Sequence, residues 1–238
     1  MKSRSLLVAF AAVAALAPAS VGNGTETLRG RLLPDMPQHL EYAEKDLQHG
    51  QISDAIAHLD LILMTHIHYR VNFIDVPEEK QVECTAAFRD AIAMWKRALG
   101  TGWELDEAMG DEPAEVQVTF QPDVQQNGNE VAGYVTWKRS VLLGSDGNPH
   151  MNMTADVRVR TIQPDGGQML LEHMRHTSAH ELGHVLGLDD SPFYGDIMGP
   201  LDLTHPVTDF EAAELDNLRA VRAQAEQDRV QAVAEQVH

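Results

Sequence analysis

Cysteine is nearly absent: the 238 residues hold one, Cys84. A chain with a single cysteine has no internal disulfide, so its stability rests on packing and on any metal it holds. Basic residues are scarce as well. Eighteen Lys and Arg stand against 36 Asp and Glu, a formal net charge of −18. Such a surface repels phosphates and anionic lipid, which excludes nucleic acid and membrane surfaces as partners. Beyond the N-terminal stretch no apolar run approaches the roughly 18 residues that a spanning helix needs, so no membrane anchor is expected. Internal repeats are missing too; one helical-hairpin pattern occurs without a second copy. These absences leave a soluble, acidic chain, expected as a monomer.

The N-terminus is not featureless. Met-Lys-Ser-Arg is followed by an apolar run from Leu6 to Leu16 and then by Ala17-Pro18-Ala19. A basic start, a short apolar core and a small-residue site read as a signal peptide over 1–19, cleaved after Ala19, with Ser20 as the alternative. No cysteine sits at the junction, so a lipoprotein is not expected. The mature chain is then secreted, extracellular or periplasmic, and long enough to bury a full core as one domain.

Residues 20–36 contain Gly, Asn, Thr and Pro and read as a flexible leader. Residues 37–65 read as a helical hairpin. Leu40, Ala43 and Leu47 mark its first helix, His49-Gly50 breaks it, Ser53 is placed to N-cap the second, and Ile56, Leu59, Ile62 and Leu63 mark that helix's apolar face. The hairpin either packs on the rest of the chain as an appendage or serves as a pro-segment over a cleft. From His66 the pattern changes. A strand over His68–Val76 ends at Pro77, and a helix over Cys84–Leu99 follows, with Phe88, Ile92, Trp95 and Leu99 on one face and Gly100 as its stop. Strands are expected at Trp103–Leu105, Val116–Phe120, Glu130–Trp137 and Met151–Ile162, then a helix over Leu170–Leu186. Thr208 and Glu211 form a capping box for a last helix packed by Phe210, Leu215 and Leu218. Past Gln224 the composition turns charged and Ala-rich, so the end, 226–238, is expected to fray.

The most informative stretch is His180-Glu181-Leu182-Gly183-His184-Val185-Leu186-Gly187-Leu188-Asp189-Asp190, with Gly195-Asp196-Ile197-Met198-Gly199-Pro200 soon after. On a helix, His180 and His184 lie one turn apart on one face and can grip a single zinc ion. Glu181 beside them can reach a water at that ion. Gly187 tolerates a left-handed turn that ends the helix and swings the chain back for a third ligand.

This pattern resembles the metzincin clan of zinc endopeptidases, H-E-x-x-H-x-x-G-x-x-H/D followed by a methionine turn. His180, Glu181, His184, Gly187, Asp190 and Met198 carry the match. Within the clan the chain looks most like the matrixins, with one departure: aspartate at Asp190, as in snapalysin-type enzymes, where matrixins carry histidine. The resemblance is specific at 180–200 and topological over the rest of 66–225.

The resemblance implies an α+β zincin domain: a mixed, mostly parallel twisted sheet, an active-site helix and a Met-turn, here preceded by the helical hairpin. It implies a metalloendopeptidase acting on protein or peptide, with one catalytic zinc held by His180, His184 and Asp190. Glu181 is the implied general base for a zinc-activated water, and Met198 the apolar floor. Gly133, Tyr134 and Val135 are expected on the edge strand along which an extended peptide lies. Pro200 is expected in the wall of the pocket beyond the scissile bond. Calcium is conceivable at Gly144–Asn148 and Gln125–Asn129, although neither loop matches a complete calcium pattern and solvated turns suffice.

Several residues compete for these roles. Asp189 rivals Asp190 as ligand, and a zincin of another class would use Asp202, Glu211 or Glu214. His176 lies a turn before His180, and His173 farther back; both are expected at the surface or behind the ligands. Cys84 reads as a small buried hydrophobe; its flanks do not resemble the matrixin cysteine switch. The rival to an enzyme is a secreted, non-catalytic zinc-binding or interaction protein on the same scaffold.

Overall fold

The computed structural model describes residues 29–100 and 102–236. The expected signal peptide at 1–19, residues 20–28 of the expected leader and the last two residues of the tail lie outside them. The order of elements is α1 (Asp35–Gln48), α2 (Ile52–Leu63), β1 (Ile67–Phe73), α3 (Glu78–Leu99), β2 (Leu105–Glu107), β3 (Val116–Gln121), β4 (Val124–Gln126), β5 (Asn129–Val131), β6 (Gly133–Leu143), β7 (Pro149–Arg160), α4 (Leu171–Leu186) and α5 (Ala212–Gln236).

Five strands form one sheet in the order β2-β1-β3-β7-β6. The first four run parallel, and β6 closes the edge antiparallel to β7, in register from Gly133 against Val159 to Leu143 against Pro149. The sheet is therefore mixed and mostly parallel. Alternation decides its inner face: Val116, Val118 and Phe120 of β3 and Met153, Ala155, Val157 and Val159 of β7 are buried. Helices cover that face. In α3 the buried residues Cys84, Ala87, Phe88, Ala91, Ile92 and Trp95 recur at helical spacing. Glu78 and Glu79 at its start and Lys96 and Arg97 at its end suit the helix dipole. No helix among the described residues is long and apolar enough to cross a membrane.

The hairpin α1–α2 shares this core: Ala43, Ala55, Leu59, Ile62 and Leu63 belong to the same apolar cluster as Phe88, Val157 and Leu182. Of the stretch read as a leader, residues 31–33 are tied down. Leu33 N–H donates to the Gly187 carbonyl at 2.8 Å, Asp189 N–H donates to the Arg31 carbonyl at 2.8 Å, and Leu32 bridges Leu188 antiparallel.

Local expectations shift in several places, among them β2, which lies at Leu105–Glu107 rather than Trp103–Leu105, and α3, which starts at Glu78 rather than Cys84. First, α2 begins at Ile52 behind Gln51, so Ser53 sits inside the first turn and caps nothing. Next, β6 runs on past Trp137, because the inward alternation Val135, Trp137, Arg139 continues. The residues before it form a separate hairpin, β4–β5, turned by Asn127 (φ 52) and Gly128 (φ 81), the left-handed pair that a tight hairpin turn requires. Finally, α5 starts at Ala212 rather than near Thr208, since it is Glu214 whose carboxylate accepts the Glu211 N–H at 2.9 Å. This helix also persists where fraying was expected. Ala225 and Ala232 are buried, Arg222 donates to the Ile62 carbonyl at 3.0 Å, and Arg229 donates to Asp60 at 2.6 Å, so its far end is held on α2.

Candidate metal centre

The site is built on the last two turns of α4. His180 and His184 project from one face, and Gly187 (φ 104) ends the helix in the left-handed region. Gly187 N–H donates to the His184 carbonyl at 3.1 Å and Leu188 N–H to the Gly183 carbonyl at 2.9 Å, the two bonds of a Schellman turn. That reversal carries Asp190 back over the histidines. Asp190 Oδ1 lies 3.3 Å from His180 Nε2 and 3.3 Å from His184 Nε2, and the two nitrogens are 3.2 Å apart.

These distances test the donor set against a metal. Two ligands of a tetrahedral zinc with bonds of about 2.0–2.1 Å stand about 3.3–3.4 Å apart. The three atoms reproduce one face of that tetrahedron. The tautomers agree: His180 Nδ1 faces the Ile197 carbonyl at 3.0 Å and His184 Nδ1 the Leu188 carbonyl at 2.8 Å. Each Nδ1 therefore carries a proton and donates it, and each Nε2 presents a bare lone pair to the common centre. Two lone pairs and a carboxylate converge with no proton between them, which suits a cation. The residues fit zinc.

Glu181 is buried beside the ligands. Burial pushes its carboxyl up to about 7, with His180 opposing and Asp190 adding to the rise. The helix packs there against the sheet edge: a β-carbon on Gly133 would lie 2.5 Å from Glu181 Oε1 and 2.5 Å from Thr177 Cγ2. Glu181 and the edge strand thus meet at a residue without a side chain. Tyr134 is half-buried, and Val135, on the opposite face of the strand, is buried.

Beneath the ligands lies Met198, fully buried. Its Sδ sits where a β-carbon on Gly183 would be, 2.2 Å from that position, so the glycine inside the motif admits the methionine. The Met198 carbonyl accepts the Ser191 N–H at 2.7 Å, closing the turn, and Pro200 follows it at the surface. Trp137 stacks on His184 with ring centroids 6.0 Å apart.

The competitors have other employment. Asp189 pairs with Arg31 and accepts the Asp190 N–H at 2.9 Å. Asp202 makes an exposed turn, accepting from the Thr204 N–H at 2.8 Å. Glu214 is fully buried and accepts the Met198 N–H at 3.0 Å, while Glu211 exchanges hydrogen bonds with Glu214, its N–H donating to that carboxylate and its carbonyl accepting the Glu214 N–H. Burial, partly offset by these bonds, raises the Glu214 carboxyl to about 6. His173 is a buried helix cap rather than a surface residue: its Nδ1 accepts the Leu170 N–H at 3.2 Å, and its Nε2 lies 2.9 Å from the Leu203 carbonyl. His176 is also buried, with its ring centroid 6.4 Å from that of His180, outside the ligand triangle. Burial and the neighbouring His180 push it down to about 4. Cys84 is buried against Met174 Sδ at 3.7 Å, and burial pushes its thiol up to about 11, which suits a hydrophobe and not a metal-blocking thiolate. In the loop Gly144–Asn148, Asp146 accepts from Asn148 N–H and Nδ2, each at 3.0 Å, so its oxygens already serve the turn. Among the described residues, the one group of three or more metal-ligating side chains is His180, His184 and Asp190.

Two contributors are not evident from the sequence. Glu214 holds the Met-turn. Arg139 is buried on β6, with Nη2 donating to the His184 carbonyl at 2.9 Å and to the Val185 carbonyl, and Nη1 paired with Asp35. An arginine at an inward position of an alternating strand was the available signal.

No curated protein is similar enough to the chain to count as a match. A comparison with protein families matches residues 63–221 to the matrixin peptidases. That match spans well over half of the chain and encloses His180, Glu181, His184, Asp190 and Met198, so this chain belongs to the matrixin family.

Proposed function

We propose that the chain is a secreted zinc-dependent endopeptidase in which Glu181 is the general base. The observation that carries this reading is the triangle of His180 Nε2, His184 Nε2 and Asp190 Oδ1, at 3.2–3.3 Å on each side, with a buried carboxylate next to it. Zinc bound there would polarise a peptide carbonyl and acidify a water. Glu181 takes a proton from the attacking water on its carboxylate and returns it to the leaving amine. The open side of β6 at Gly133–Val135 offers main-chain groups to an extended peptide running antiparallel, which sets the scissile bond beside Glu181. Pro200 forms part of the wall beyond that bond. Export rests on the N-terminal sequence pattern, and a monomer on the acidic surface.

The test is cleavage of a broad peptide library by the purified mature chain, with chelator. Wild type should cleave, and Glu181→Gln should bind zinc yet lose at least about 10²-fold in kcat. Asp190→Asn should lose zinc affinity and activity together. Full activity in Asp190→Asn would refute the ligand assignment. Zinc uptake by wild type with no cleavage of any peptide would favour a non-catalytic binding protein.

A further inference from the structure

The family match begins at residue 63, yet the loop that carries the third ligand is held by residues that precede it. Arg31, Leu32 and Leu33 pair with Asp189, Leu188 and Gly187 through backbone hydrogen bonds of 2.8 Å and an antiparallel bridge. Met36 at the start of α1 fills the space above Gly187, where a β-carbon would lie 2.3 Å from Met36 Cγ. Asp35 reaches the buried Arg139, which grips the carbonyls of His184 and Val185 at the end of α4. Arg31 adds an ion pair with Asp189, the immediate neighbour of Asp190.

These contacts converge on two of the three ligands. The backbone of His184 is fixed by Arg139, and the carbonyl that orients its ring belongs to Leu188, which Leu32 bridges. Asp190 follows Asp189, whose N–H is tied to Arg31. Asp190 is itself on the open side of the site, with a side chain 47% exposed against 7% for His184. Its own packing cannot fix it, so its position depends on the loop beneath. The last carbonyls of a helix lack intrahelical partners; here a buried guanidinium supplies one to Val185 and a second donor to His184, beside the Gly187 N–H, while gaining a carboxylate.

We propose that the segment 31–36 and the Asp35–Arg139 pair are positioning elements of the metal centre, which set His184 and Asp190 at ligand distance. The hairpin is then an obligate part of the metal-binding unit and not a detachable cover. This inference rests on the zinc reading above.

The test compares wild type with the Asp35→Leu/Arg139→Met double variant of the full chain. Removing both charges together avoids stranding one of them, and apolar replacements of a buried pair commonly preserve the fold. Zinc affinity is read by chelator competition and site geometry by the visible spectrum of the cobalt-substituted chain. Thermal unfolding of the metal-free forms reports the fold. The expected result is unfolding within a few degrees of wild type, zinc affinity lowered about 10- to 100-fold and a changed cobalt spectrum. Arg31→Met should lower affinity to a lesser extent. Undiminished affinity and an unchanged spectrum in the double variant overturn the positioning role and leave the zinc reading standing. A wild type that takes up no zinc overturns the reading and the positioning role with it. Hydrogen exchange in wild type guards against a variant that fails to fold. The amides of Leu33 and Asp189 should be protected as strongly as those of α4, and rapid exchange at both overturns the proposal.

Discussion

Glu181 Oε1 occupies the space that a β-carbon on Gly133 would need, with 2.5 Å between the two positions. The base of the proposed reaction and the strand proposed to hold the peptide are therefore in van der Waals contact. Gly133→Ala should push the Glu181 carboxylate away from the edge without touching a ligand. A displacement of about 1 Å at such a group costs up to about 10²-fold in rate. The expected outcome is kcat lowered about 10- to 100-fold with zinc affinity unchanged, measured by steady-state kinetics and chelator competition. Unaltered kcat would show that Glu181 has another way to reach its position.

At Gly187 two constraints meet. Its φ of 104 is strained for any residue with a side chain, and a β-carbon would collide with Met36. Gly187→Ala should cost about 2–4 kcal/mol, the strain of a left-handed residue together with overpacking. Urea unfolding of the metal-free chain measures that loss. Zinc binding should weaken too, since the turn delivers Asp190.

The C-terminal half of α5 is structural. Arg229 pairs with Asp60 at 2.6 Å and Ala232 is buried against the rest of the molecule. Truncation after Gln224 should lower the midpoint of thermal unfolding by several degrees, as a loss of about 1–2 kcal/mol does in a domain of this size. A truncated chain that unfolds with wild type would mean that the contacts with α2 contribute nothing.

Acid should loosen the hairpin. His39 on α1 and His58 on α2 face each other, Nδ1 to Nδ1 at 3.0 Å, with Tyr42, Asp46, Asp54, Asp35 and Arg139 around them. Burial, then the neighbouring His58, pushes His39 down to about 4, and burial lowers His58. A depressed histidine favours the neutral form in the folded state. Its contribution is full above the unfolded value of about 6.5 and is lost as pH falls from there towards 4. Unfolding free energy should drop by about 3 kcal/mol over that window from His39. His39→Leu should flatten the drop, and a profile as steep as wild type would assign the acid sensitivity elsewhere.

How much of this was legible in the sequence follows from the range of each interaction. The helix α4, its left-handed stop at Gly187 and the return to Asp190 are written in consecutive residues, so spacing alone reaches them. Strands β1, β3 and β7 show their inward alternation directly. The Asp35–Arg139 pair and the bond from Met198 N–H to Glu214 join positions that no local pattern relates. Capping signals misled for a related reason. Ser53 and the Thr208–Glu211 box satisfy local rules, but packing placed the starts of α2 and α5 one or more residues away. The charged composition after Gln224 suggested solvent, whereas Asp60, far off in sequence, supplies a partner for Arg229.

The bridge between Leu32 and Leu188 also has a consequence in time. It joins the segment before α1 to the loop after α4, and contacts of such long sequence separation are slow to close. While the chain is being made, residues 31–36 emerge first and must wait for the loop that follows α4. The ligand triangle is then among the last parts to be completed, after the sheet and the helices on it have formed. A chain with the proposed activity, assembled in that order, would gain the power to cut only after its sheet and α1–α4 are folded.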